Sequence, residues 1–97
     1  LVSAMSDLNT AIRLRPEFAL AIHDRGLLYS KLEKNELAIA DFTKAIQLNP
    51  NLSDAYLNRG MAEGHEGDFR NACKDWSKAG EMQDYGAYDL IKQYCRK

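Results

Sequence analysis

The chain has 97 residues, 45% of them hydrophobic and 28% charged, which suits one small domain and excludes a disordered or collagen-like polymer. Thirteen basic residues against fourteen acidic ones leave a net charge of −1, and the lysines and arginines are scattered, which argues against a nucleic-acid-binding face. The longest apolar run, Phe18 to Ile22, is five residues, far below the roughly 20 that a membrane-spanning helix needs, and no charged start followed by an apolar stretch marks a signal peptide.

From the N-terminus, Val2 to Leu14 reads as a helix carrying Ala4, Leu8 and Ala11, and the proline at position 16 closes it. Leu1 falls inside this helical pattern with no initiator Met, so residue 1 is expected to be an internal boundary and not a natural start. A second helix follows, with Ile22, Gly26 and Tyr29 on one face. A third places Ala38, Ile39, Phe42, Ala45, Ile46 and Leu48 at three-four spacing and ends at Asn49-Pro50. The next two helices repeat this pair. Ile22, Arg25, Gly26, Ala38, Asp41, Phe42 and Ala45 recur 34 residues later as Tyr56, Arg59, Gly60, Ala72, Asp75, Trp76 and Ala79. Backwards, Ala38, Asp41, Ala45, Ile46 and Leu48 recur as Ala4, Asp7, Ala11, Ile12 and Leu14, and Pro50 as Pro16. A period of this length marks stacked helical hairpins. A mid-helix glycine costs about 1 kcal/mol against alanine, so the return of Gly26 as Gly60 calls for close helix packing, with Tyr29, Phe42 and Trp76 as the bulky groups between units.

Ile22, Gly26, Tyr29, Ala38, Phe42, Ala45 and Pro50 resemble the signature of the tetratricopeptide repeat family. The resemblance covers about 84 of the 97 residues and implies an all-α superhelix of about two and a half repeats. Residues 1–15 would be the second helix of a partial repeat, 16–49 and 50–83 full repeats, and 84–97 a capping helix. The second full repeat departs from the family at Glu63, where an aromatic is usual, and at Asp84, where proline is usual. Tyr94 stands where the period asks for glycine, which suits a terminating helix, with Lys92, Arg96 and Lys97 near its C-terminal dipole. The helix of residues 1–15 lacks its hairpin partner, so either upstream repeats cover it or a second copy of the chain does. The C-terminal end is expected to be natural and the N-terminal end cut, as in the last repeats of a longer array.

Cys73 and Cys95 lie eleven residues on either side of Asp84, the expected centre of the last turn, so antiparallel helices would bring them level. They are either a disulfide, which needs Cα atoms within about 7 Å and implies a periplasmic or extracellular setting, or two free thiols, which suit the cytoplasm. His23 and His65 show no metal-ligand spacing and are expected to be solvated; neither they nor Cys73 form a catalytic motif, and no cofactor is expected. Glu36, Asp41, Lys44, Arg70, Lys74 and Lys78 are expected on the solvated outer face.

The resemblance also implies a peptide groove lined by the first helix of each unit. On this chain that selects Leu20, His23, Asp24, Leu27 and Lys31, then Asp54, Leu57, Asn58, Met61 and His65. Some family members clamp a peptide carboxylate with Lys, Arg and Asn. Asn58 fits that role, but Asp24 and Asp54 would oppose it, so the expected ligand is a protein segment with apolar anchors and at least one basic residue. The implied function is a non-enzymatic interaction module; the alternative is a structural spacer or oligomerisation element.

Overall fold

The repeating alanines, glycines and aromatics place small and large side chains at matching levels, and the computed structural model, which describes residues 2–95, shows how they fit. Six helices follow one another: α1 (Val2–Leu14), α2 (Ala19–Lys31), α3 (Asn35–Leu48), α4 (Ser53–His65), α5 (Phe69–Glu81) and α6 (Gly86–Tyr94). There is no strand among the described residues. Each helix packs on its neighbours in sequence, and α2 also touches α4, giving an elongated body of 44 × 25 × 17 Å. This is an all-α stack of helical hairpins. Leu1, Arg96 and Lys97, including the two C-terminal charges expected near the last helix dipole, lie outside the described residues.

Two kinds of turn connect the helices, and their chemistry explains the alternation. At α1/α2 and α3/α4 a proline-containing turn is closed by Phe18 N–H donating to Arg15 O and Leu52 N–H donating to Asn49 O. At α2/α3 and α4/α5 the helix ends in a left-handed residue, Glu33 (φ 60°) or Gly67 (φ 83°). There Lys34 N–H donates to Tyr29 O and Asp68 N–H to Glu63 O, the six-to-one bond of a Schellman cap. The α5/α6 turn, which lacks the proline of its predecessors, takes this second form: Gln83 has φ 69° and Asp84 N–H donates to Ala79 O.

The core consists of small local clusters instead of one central mass. Ala38, Phe42 and Ala62 form one, with Leu27, Tyr29 and Ile39 against it; Ala72, Trp76, Ala79 and Ala87 form another, joined by Tyr56, Leu57, Leu90 and Ile91. Phe42 and Trp76 are the largest buried side chains. Each lies against a glycine of the preceding helix. A Cβ on Gly26 would sit 2.8 Å from the Phe42 ring, and one on Gly60 2.5 Å from Trp76 Nε1. The buried indole N–H is satisfied by Leu57 O at 3.3 Å.

Asp41 is not on the solvated outer face where its charge suggested it would be. It is buried and takes a bidentate pair from Arg25, Nε and Nη2 each at 2.8 Å, while Arg25 Nη1 donates to Asn9 of α1 at 2.9 Å. The next unit repeats the arrangement. Arg59 pairs with buried Asp75 at 2.8 and 2.6 Å and donates to Thr43 of α3 at 3.2 Å. The fork geometry of guanidinium matches carboxylate in this way, and each arginine ties its own hairpin to the hairpin before. The offset from arginine to aspartate is the same in both units, which is the sequence signal for the pair.

The glycine contacts set a contrast between neighbouring positions. Gly60→Ala is expected to destabilise by about 1–3 kcal/mol through overpacking against Trp76. Gly64→Ala, whose Cβ would meet Phe69 at 3.5 Å and Trp76 at 3.7 Å, is expected to stabilise by about 1 kcal/mol through helix propensity. Urea unfolding of the two variants checks both signs.

Candidate functional site

The exposed face of α2 and α4 carries most of the groove residues expected from the sequence, but the structure sorts them into two groups. Leu20 (55% exposed), Asp24, Lys31, Asp54, Met61 (41% exposed) and His65 face solvent. Leu27 and Leu57 are half-buried, the first against the Phe42 cluster and the second against the Trp76 cluster, so they serve packing as well as the surface. His23 is not solvated: it is 8% exposed, its ring 5.4 Å from that of Phe42. Asn58 Nδ2 lies 3.2 Å from His23 Nε2; with the amide donating, the ring proton is on Nδ1, which lies 3.7 Å from Asp24 Oδ1. This contact joins α2 to α4 and engages the amide that a carboxylate clamp would use. The burial arises because position 23 faces both the ring of α3 and the next first helix, contacts that local spacing does not reveal.

At the far end the same face continues onto α6. A pocket of about 120 Å³ opens between α4, α5 and α6, with Met61 and His65 on one side, Leu90 on the other and Trp76 beneath. Tyr94 forms its end wall, its ring stacked 5.4 Å from Phe69 and tilted 5.7 Å from Trp76. Phe69, Leu90 and Tyr94 were not among the groove residues read from the sequence. The signal was present in Tyr94, whose ring stands where earlier units have glycine and therefore turns outward over its neighbours.

Cys73 of α5 and Cys95, just after α6, are joined as a disulfide with Cα atoms 5.8 Å apart. The bridge and the burial of Ala87 hold α6 against α5. No group of three or more His, Cys, Asp or Glu among the described residues is arranged to hold a metal ion, and no described helix is long and apolar enough to cross a membrane.

One carboxyl behind the face is strongly perturbed. Glu63, at the position that Tyr29 holds in the unit before, is buried, and its Oε1 has no hydrogen-bond partner. Burial first, then the neighbouring Asp75, push its pKa up to about 8; Arg59, 3.9 Å from Oε2, opposes them.

Antiparallel helix pairs repeating every 34 residues, with successive first helices sharing one lined face, define a helical-repeat scaffold. Residues 19–52 match the family model described as "Tetratricopeptide repeat". The chain belongs to the tetratricopeptide repeat family. It is 31% identical over 91 residues to human "Tetratricopeptide repeat protein 6", covering 94% of this chain and 17% of that protein. Among solved structures it is similar to the yeast Sti1 TPR2B domain in its pHsp70 complex, with TM-score 0.80 and 26% identity over 93% of this chain and 75% of that one. It also shares its fold with the first TPR of Spaghetti (RPAP3) bound to the HSP90 peptide SRMEEVD, with TM-score 0.90 and 22% identity over 94% and 74% of the two chains. The chain spans between 5% and 17% of the length of the first three curated relatives it matches.

The Glu63 site has a pH signature. Native protein holds a proton on Glu63 that the unfolded chain, with an ordinary carboxyl near 4.5, has lost. Stability contributed by this group therefore falls as pH rises from about 5 to about 8 and is flat above. Glu63→Gln is expected to remove that slope and to raise Tm at pH 8, as read by thermal melts across the range.

Proposed function

We propose that the chain is a non-catalytic protein-interaction module whose α2/α4 face binds a segment of a partner protein through apolar anchors and at least one basic residue. The observation that carries this reading is the exposed pair Leu20 and Met61 beside the exposed carboxylates Asp24 and Asp54. Apolar groups left in water on a rigid scaffold favour contact with an apolar partner, and the carboxylates select against anionic segments. The complex of the Sti1 neighbour with pHsp70 supports protein binding as the kind of function. A peptide ending in acidic residues and a free carboxylate would meet Asp24 and Asp54, and the Asn58 amide is engaged by His23.

Peptide arrays test this directly. Basic-apolar peptides are expected to bind, and Asp24→Lys with Asp54→Lys is expected to weaken them at least tenfold while admitting acidic peptides. Preference of the unaltered chain for acidic C-termini would overturn the reading.

The Cys73–Cys95 bridge supports placing the chain in an oxidising compartment, where disulfides persist. Protein from its natural source is then expected to resist thiol alkylation unless reduced first. Reduction is expected to lower stability by about 3 kcal/mol, the usual value for a loop of this size; two freely alkylated native thiols would point to a reducing compartment instead.

A further inference from the structure

Three of the large apolar side chains left in water, Met61, Phe69 and Tyr94, meet at one place, the pocket between α4, α5 and α6. Two departures from the repeat create it. Gly64 stands where the unit before has Ser30, and Tyr94 stands where the period asks for the glycine of Gly26 and Gly60. A Cβ on Gly64 would meet Phe69 at 3.5 Å and the six-membered ring of Trp76 at 3.7 and 3.9 Å, so the missing side chain leaves the floor open. Tyr94, stacked on Phe69, closes the end.

Size and chemistry select the occupant. The volume of about 120 Å³ is close to the roughly 150 Å³ of an apolar cavity that takes up benzene. One ring fits, and a larger ligand does not. No carboxylate, amine or guanidinium among the described residues lines the pocket, so a charged group entering it would lose water without gaining a partner. The rings of Phe69, Trp76 and Tyr94, with the Met61 thioether, offer instead the contacts that favour another aromatic group.

The end wall depends on a covalent bond. Tyr94 directly precedes Cys95, and α6 has nine residues with Ala87 its one buried side chain among those described. Isolated helices shorter than roughly 12 residues are not stable in water. The Cys73–Cys95 bond therefore fixes this last turn on α5.

We propose that the pocket is a subsite for one uncharged aromatic side chain of a partner segment, assembled in the disulfide form and lost when Cys73–Cys95 is reduced. Met61 and His65 belong both to the pocket and to the α2/α4 face, so the source of the ring, a protein segment, rests on the binding role proposed for that face. Reduction by a dithiol breaks the S–S bond. Two electrons and two protons pass to the sulfurs of Cys73 and Cys95, which become thiols, and the reductant closes its own disulfide.

The test titrates N-acetyl-phenylalaninamide, a neutral carrier of the ring, into the intact chain up to its solubility, with N-acetyl-leucinamide as the aliphatic control. Trp76 is the only tryptophan and reports from beneath the pocket in NMR spectra. The phenyl compound is expected to shift the six-membered-ring protons of Trp76, to show cross-relaxation with Tyr94, and to bind about fivefold tighter than the leucine compound, the scale that aromatic contacts add. Dithiothreitol, Cys73→Ser with Cys95→Ser, and Gly64→Leu, which fills the floor, are each expected to abolish the shift in chains whose other helices circular dichroism shows intact. The contacts to Tyr94 in the unaltered chain are a readout independent of any variant's folding. No shift at Trp76, no cross-relaxation with Tyr94, equal affinity for the leucine compound, or a shift that survives reduction overturns the proposal. Basic-apolar peptides that bind although the phenyl compound does not would sink the subsite and leave the α2/α4 face standing. The phenyl compound binding where no peptide does would uphold the subsite and overturn the face.

Discussion

The close approach of glycine to aromatic ring governs this molecule. Phe42 and Trp76 can be buried within a layer only two helices thick because Gly26 and Gly60 leave room for them, and any side chain there would separate the pair. Once the helices are that close, alanine is the residue that fits along the rest of the seam. Ala38, Ala45, Ala72 and Ala79 are accordingly fully covered. The aromatic rings supply most of the apolar area and the glycines permit it, so propensity yields to packing at the glycine positions.

The arginine–aspartate pairs add direction to that packing. An apolar seam of alanines can slide by a helical turn at little cost, whereas a fork of two hydrogen bonds between guanidinium and carboxylate has one good geometry. Arg25 and Arg59 also reach back to Asn9 and Thr43, so each arginine sets the level of two second helices at once. Glu63 sits beside the second of these pairs as an extra carboxyl with one unpartnered oxygen, where the first unit has the tyrosine ring. The second unit thus carries a buried titratable group that the first does not.

What could be read from the sequence follows from which residues repeat. The helices and the close approach at the glycines were legible because Gly26/Gly60 and Phe42/Trp76 are defined by a fixed spacing. Asp41 was misplaced on the solvated face because a charged residue is usually exposed, although it lies three residues after Ala38 and four before Ala45 and so shares their face; the repeated offset to Arg25 supplies the partner that lets it be buried. His23 was misplaced for a different reason. Its burial depends on Phe42 and Asn58, residues on two other helices, and nothing within its own helix announces them. The pocket walled by Tyr94 and Leu90 likewise exists only once α6 has folded back. Residues that repeat for packing are visible in one dimension, and those that meet across layers are not.

A body built from local clusters, tied at one end by a covalent bridge, has unequal ends. At the N-terminal side of the described residues α1 packs on α2, whereas at the other side α5 and α6 share the Trp76 cluster and the Cys73–Cys95 bond. Thermal fraying or a pulling force should therefore travel through the stack one way, peeling α1 first and reaching the bridged pair last. Opening of these residues as an isolated unit is then expected to begin in the N-terminal helices and to leave the bridged C-terminal pocket assembled.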